Sequence, residues 1–173
     1  RDVIDINASV EDNLNAVARA KGMDVHDLTV IILDRPRHEK LIAEVRRLGA
    51  RIRLIPDGDV AAALMTAMPE TGIDILFGIG GTPEGVLAAC ALRCLGGNMQ
   101  GKIYPRNDAE RQMGIEMGYQ LDKVLRLGDL VSSEDTFFAA TGITGGELLH
   151  GVSYTGAGAT TDSIVMRGLT GTV

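Results

Sequence analysis

The spacing of apolar residues changes from helical to strand-like several times in the first half of the chain. In NASVEDNLNAVARAKG, residues 7–22, Leu14, Val17 and Ala18 share one helical face, Ser9 precedes Asp12 at capping-box spacing, and Gly22 provides a stop. The run LTVIILD, Leu28 to Asp34, is continuously apolar and β-branched, which predicts a strand buried on both faces. Pro36 suits the first turn of a helix through RHEKLIAEVRRL, ended by Gly49. RIRLI (Arg51 to Ile55) predicts the second strand and VAAALMTAM, after Asp59, the next helix. IDILF (Ile73 to Phe77) predicts the third strand; Thr82 as N-cap and Pro83 at the first helical position then open EGVLAACALRCL, which closes at Gly96. Three strand–loop–helix units at a spacing of about 22 residues predict a parallel sheet with crossover helices.

The second half is less regular. MQGKIY and DTFFAATGI predict strands, DAERQMGIEMGY a helix, and GELLHGVSYTG with DSIVMRG a short helical turn followed by mixed strands. The expected total is an α/β fold, a mixed sheet with helices on both faces, in one domain over residues 1–173, because no repeat, low-complexity segment or linker divides the chain. The opening on Arg1 and the alternating apolar run DSIVMRGLTGTV at the end predict a fragment of a longer protein.

Composition narrows the partners. A net charge of −6 with no basic run argues against nucleic acid and anionic membrane surfaces and leaves small molecules or other chains. Two cysteines make no disulfide framework, and no apolar run reaches about 18 residues, so a reducing cytoplasm is the expected location. Glycine, at 22 of 173 residues, is well above the usual share of about 7%, so many backbone positions are expected to need special geometry.

In an open α/β sheet, ligands bind outside the carboxyl ends of the strands. Three loops fall there: DRPRH (Asp34 to His38), PDGD (Pro56 to Asp59) and GIGGTPEG (Gly78 to Gly85). Asp, Gly and Pro also make ordinary turns, but three polar loops meeting at one sheet edge point to a site. GIGGTPEG is not a dinucleotide fingerprint, because Pro83 stands where the third glycine belongs, and no Gly-Lys-Ser/Thr follows to make a nucleotide P-loop. Free amides at the helix start could hold an anion.

Glu84 complicates that role. A helix start favours an anion by at most about 2 kcal/mol. A carboxylate about 5 Å from a doubly charged phosphate repels it by roughly 7 kcal/mol at an effective dielectric of about 20. Either a divalent cation lies between Glu84 and a phosphate, or Glu84 only complements the helix dipole.

Other residues offer weaker signals. Cys90 and Cys94 share a helix face and read as core packing rather than a metal pair, for want of a third soft ligand. His38 is either a phosphate contact or a polar helix-start residue, and His26 and His150 sit in no motif. Met113 and Met117, at helical spacing, read as core filler. TGITGGE could bind an anion, but chain reversal is the simpler use of its glycines.

Taken in order, DRPRH, IPDGD, GIGGTPEGVLAACALRCLGG, FFAATGIT and GATTDSIVMR closely resemble the class II (GlpX-type) fructose-1,6-bisphosphatases, over essentially the whole chain. The resemblance implies the C-terminal half of a sugar phosphatase fold in the lithium-sensitive phosphatase superfamily. It also implies hydrolysis of fructose 1,6-bisphosphate, and of sedoheptulose bisphosphate in some members, with Mn²⁺ or Mg²⁺. Glu84 would be a metal ligand and Gly81 a substrate contact. Arg35 and Arg37, flanking Pro36, would bind the phosphate that stays, and Asp57, Gly58 and Asp59 would hold sugar hydroxyls. Guanidinium forks suit phosphate and carboxylates suit hydroxyl donors. Position 35 is Arg where many members carry Lys, which keeps the charge.

The family's N-terminal half, with an Asp, a Glu and a DPxEGT segment that supply further metal ligands and a threonine at the attacking water, has no counterpart here, and the family's final tail is also missing. The resemblance therefore implies a catalytically incomplete piece whose partner is the other half of the same chain, within a homodimer or homotetramer. The competing reading is a non-catalytic domain that binds a sugar phosphate or nucleotide and needs no metal. A dinucleotide-dependent oxidoreductase is weakened by Pro83 and by the lack of an acidic ribose-binding residue after that loop.

Overall fold

The computed structural model describes residues 3–173; Arg1, whose opening position bears on the expectation of a fragment, and Asp2 lie outside them. Three parallel strands, β1 (Thr29–Leu33), β2 (Arg51–Ile55) and β3 (Ile75–Leu76), form a sheet in the order β2-β1-β3. The register sets Val30 opposite both Ile52 and Ile75, and Leu33 opposite Ile55. β3 is shorter than its apolar run, although the Asp74 amide donates to the Thr29 carbonyl at 2.9 Å and the Phe77 amide to the Ile31 carbonyl at 3.3 Å on either side of it.

The middle strand explains the apolar run. Val30 and Ile32 pack with Leu14 and Val17 of α1 (Val10–Lys21) and Ile42 and Val45 of α2 (Glu39–Leu48). Ile31 and Leu33 face the other way, toward Ala62 and Met65 of α3 (Asp59–Met65). Helices thus cover both faces, and Val30, Ile31 and Ile32 are fully buried. α1 starts as expected, with Ser9 Oγ accepting from the Asp12 amide at 3.0 Å, and ends at Gly22 in the left-handed region, φ 65°. β2 is an outer strand of this sheet, and its Arg51 and Arg53 pair with Asp27 and Glu147.

α4 (Thr82–Leu95) is capped by Gly81, one residue earlier than the sequence suggested, so Thr82 is its first residue and Pro83 its second. Alanines let it approach α3 closely: Ala88 and Leu92 meet Ala63. Its other side buries Ala91 and Cys94 against Phe138 and Met166.

The antiparallel strands pair apart from the parallel sheet, and Arg167 of the last one also bridges Thr172. β4 (Gln100–Gly101) pairs with β5 (Leu125–Arg126), β6 (Phe137–Thr141) with β9 (Ser163–Arg167), and β7 (Ser153–Thr155) with β8 (Gly158–Thr160). Among the described residues they do not join the parallel strands in one mixed sheet. A cavity of about 930 Å³, lined by Ile75 and Leu76 on one side and by Gln100 and Gly101 on the other, lies along β3 instead.

Several local expectations change. The GELLHG turn forms no helix, because Leu148 packs against two apolar clusters while Glu147 pairs with Arg53. Helix α5 (Asp108–Glu116) buries only Gly114, leaving Met113 59% and the following Met117 63% exposed, so neither is core filler. A short α6 (Leu127–Leu130) follows β5. Among the described residues no helix is long and apolar enough to cross a membrane.

Candidate functional site

The three loops do meet at the carboxyl ends of the parallel strands. After β1, Arg35 is extended and Pro36 opens a short 3-10 turn, Pro36–His38, that leads into α2. The fixed ring of Pro36 needs no amide donor at that position, so the turn forms without an orphaned bond. After β2, Gly58 caps α3 at φ 86°, a left-handed conformation that an L side chain would strain, and its carbonyl accepts from the Ala62 amide at 2.9 Å. The flanking Asp57 and Asp59 are thereby carried at the rim of the sheet.

The third loop, Gly78 to Gly81, is built so that carboxylates lie against bare backbone. A Cβ at Gly80 would stand 2.8 Å from Asp59 Oδ2, and one at Gly81 would collide with the Glu84 carboxylate, which folds back over its own helix start. Glycine at both positions is thus a steric requirement of where these two acids lie.

Arg35, Arg37, Asp57, Gly58, Asp59, Gly81 and Glu84, all singled out in the sequence, line one pocket of about 300 Å³. Leu33 and Gly80 complete its wall, and Pro36 stands between the two arginines without lining it. Two guanidiniums face three carboxylates, so the pocket's own formal charge is −1. The net negative balance disfavours an unaccompanied phosphate, and a cation beside it would offset that charge. The larger cavity beside β3 adjoins this pocket, sharing Leu33, Asp59, Gly80, Gly81 and Glu84, but most of its wall is apolar.

Glu84 fits a divalent cation as one oxygen donor. Among the described residues no three of His, Cys, Asp or Glu converge as a metal-binding group, so these residues do not make a complete metal site. Cys90 and Cys94 are no exception: Cys94 is buried, with its thiol 3.4 Å from the Thr136 carbonyl, in the packing role expected. The TGITGGE segment reverses the chain, with the Gly146 amide donating to the Leu149 carbonyl at 3.0 Å and the Val152 amide to the Ile143 carbonyl at 3.1 Å.

His38 stands at the helix start, as the N-cap residue of α2, and does not line the arginine pocket. It is 1% exposed, and its Nδ1 donates to the Leu33 carbonyl at 2.8 Å while its Nε2 accepts from the Ile79 amide at 2.9 Å. The Ile79 carbonyl in turn accepts from Arg37 Nε at 2.8 Å. No sequence motif marks this arrangement, because Ile79 takes part only through its backbone.

A family model described as bacterial fructose-1,6-bisphosphatase, glpX-encoded, matches residues 1–173. Fructose-1,6-bisphosphatase 1 class 2 of Escherichia coli (strain K12) is 45% identical over 183 aligned residues, covering 98% of this chain and 54% of the relative. The class 2 fructose-1,6-bisphosphatase of Shigella flexneri matches to the same extent, 45% over 98% of this chain and 54% of the relative. The chain thus spans about half the length of the curated relatives it matches. With the whole chain matched by the family model and nearly half its residues shared with these relatives, it belongs to the glpX-encoded bacterial fructose-1,6-bisphosphatase family.

Proposed function

We propose that the chain is the sugar-phosphate-binding part, one α/β domain, of an enzyme that hydrolyses the 1-phosphate of fructose 1,6-bisphosphate, releasing fructose 6-phosphate and inorganic phosphate, in gluconeogenesis. The observation that carries this reading is the meeting of Arg35, Arg37, Asp57, Asp59, Gly81 and Glu84 around one pocket of about 300 Å³. Family membership and the names of the relatives support the substrate. Sedoheptulose 1,7-bisphosphate is a second substrate of the same chemical class.

In this reading Arg35 and Arg37 hold the phosphate that is not cleaved, since paired guanidiniums offer directed donors to its oxygens. Asp57 and Asp59 accept hydrogen bonds from sugar hydroxyls, which orients the ring. Gly81 lets the substrate approach the backbone at the start of α4, where free amides favour an anion. Glu84 contributes one oxygen to a divalent ion, Mn²⁺ or Mg²⁺, whose remaining ligands come from the other half of the parent chain. When bound, that ion supplies Lewis-acid stabilisation of phosphoryl charge. Among the described residues no three metal-binding side chains converge on one point, and with the remaining ligands assigned to the other half the piece by itself is proposed to be inactive. A cytoplasmic homodimer or homotetramer is the assembly proposed for the parent.

The test is phosphate release from fructose 1,6-bisphosphate by the parent-length protein, with Mn²⁺ and with EDTA, beside Glu84→Ala. Turnover that requires metal and falls by at least about 100-fold in the variant supports the assignment. Turnover indifferent to Glu84 removes it from the site. Tight sugar-phosphate binding in EDTA with no turnover at all establishes the non-catalytic binding domain instead.

A further inference from the structure

The backbone of Ile79 is held on both sides by the loop that carries the arginines, through the peptides that precede and follow its Cα. Its N–H donates to His38 Nε2 at 2.9 Å and its carbonyl accepts from Arg37 Nε at 2.8 Å. His38 is itself anchored, since Nδ1 donates to the Leu33 carbonyl at 2.8 Å, at the last residue of β1. Only the tautomer with its proton on Nδ1 satisfies both bonds of the ring. Gly78 packs beside the ring, where a Cβ would sit 3.6 Å from Cε1. The next residues after Ile79 are Gly80 and Gly81, against which Asp59 and Glu84 lie.

We propose that His38 is a positioning residue that, together with Arg37, clamps the backbone on both sides of Ile79 and so fixes the distance between the arginine loop and the Gly80–Glu84 turn. The inference rests on the sugar-bisphosphatase reading for its consequence, but the clamp is a property of the fold. Arg37 then has two tasks: its Nε holds the loop, while its two terminal nitrogens remain the groups directed to phosphate. A phosphate held by Arg37 is thereby tied, through the Ile79 carbonyl, to the turn that carries Glu84. Misplacement of such a turn by about 1 Å can cost on the order of 100-fold in rate.

The His38→Gln and His38→Asn variants of the parent-length protein separate positioning from mere stability. Gln places an amide oxygen near the former Nε2 and keeps an acceptor for the Ile79 amide; Asn places its amide nitrogen near Nδ1 and keeps only the donor to Leu33. Clamping predicts that Asn lowers kcat at least about tenfold with KM changed less than about threefold, while Gln retains kcat within about threefold, whatever their order of melting temperature. Equal loss in the two variants, or loss that simply follows melting temperature, overturns the proposal.

Nitrogen-15 NMR of the unmodified protein gives a readout independent of turnover. The His38 ring should show the Nδ1–H tautomer, and the Ile79 amide should be strongly protected from exchange. An Nε2–H ring, or an Ile79 amide exchanging as fast as an exposed loop, also overturns it. Clamp signatures without fructose 1,6-bisphosphate turnover would sink the functional reading and leave the clamp standing; turnover without those signatures would do the reverse.

Discussion

The Glu84 carboxylate lies over Gly81 so closely that no Cβ fits between them. The backbone there is ordinary, with φ −77°, so Ala at position 81 is conformationally allowed, and within the protein the group it displaces is the Glu84 carboxylate. Gly81→Ala should therefore leave the melting temperature within about 2 °C while lowering phosphatase turnover of the parent protein at least about tenfold. A variant with wild-type turnover would show that the placement of Glu84 is irrelevant to the chemistry.

Gly58 makes the opposite case. Its φ of 86° strains any L side chain, yet the nearest atom to an added Cβ is the Ala61 Cβ at 3.9 Å, so the cost is conformational and not steric. Gly58→Ala should destabilise by roughly 1 kcal/mol, read from urea unfolding of the parent protein. An unchanged midpoint would contradict the left-handed cap.

How much of this was legible in the sequence follows from which physics acts locally. Ser9 and Gly22 bracket α1 through contacts within a few residues, and the β-branched run of β1 needs burial on both sides, so both elements were readable. The three loops could be placed at one sheet edge because parallel strands impose it. The start of α4 was misplaced by one residue because Gly81 caps it through the backbone, without a side-chain signature. Met113 and Met117 have helical spacing, but periodicity cannot say whether a face finds a partner. The helix-start place of His38 was legible, but its two bonds were not, because its partners are backbone atoms of Leu33 and Ile79, the latter 41 residues away.

The middle strand should dominate stability. Ile31 and Ile32 are fully buried against opposite helical layers, so Ile31→Ala and Ile32→Ala should each cost about 2–5 kcal/mol, and their effects should fall in different apolar clusters. Chemical denaturation of each variant checks this; a loss below about 1 kcal/mol for either would mean that its face of the sheet is not packed as described.

Acid should loosen the β6–β9 pair. Hydrogen bonds from Arg167, at 2.7 and 2.9 Å, and its charge hold the Asp135 carboxyl below its ordinary value of 3.8. A carboxyl lowered in the folded state stabilises above its unfolded value and loses that contribution as pH falls through the folded one. The effect should emerge below about pH 4 and be blunted by salt, because the pair is solvent-exposed. Asp135→Asn should flatten that limb of the stability profile; an identical acid limb in the variant would remove the pair from the account.

Burial, then the neighbouring Cys90, pushes the Cys94 thiol up, so little thiolate exists to react at neutral pH. Iodoacetamide at pH 8 should label Cys94 slowly in the folded protein and rapidly in denaturant, as read by mass spectrometry. Equal rates in both states would contradict its packing between α4 and the Thr136 segment.

The position of Arg51 and Arg53 on outer strand β2 bears on behaviour in a crowded cell. An outer strand offers a row of unspent backbone bonds to any passing chain, and charged side chains are what discourage a second copy from adding to it. At the opposite border, β3 has only two paired residues, too short a template for a stranger to extend. Among the described residues the sheet thus carries charge on one flank and a short strand on the other, two features that make either border a poor template for a second copy.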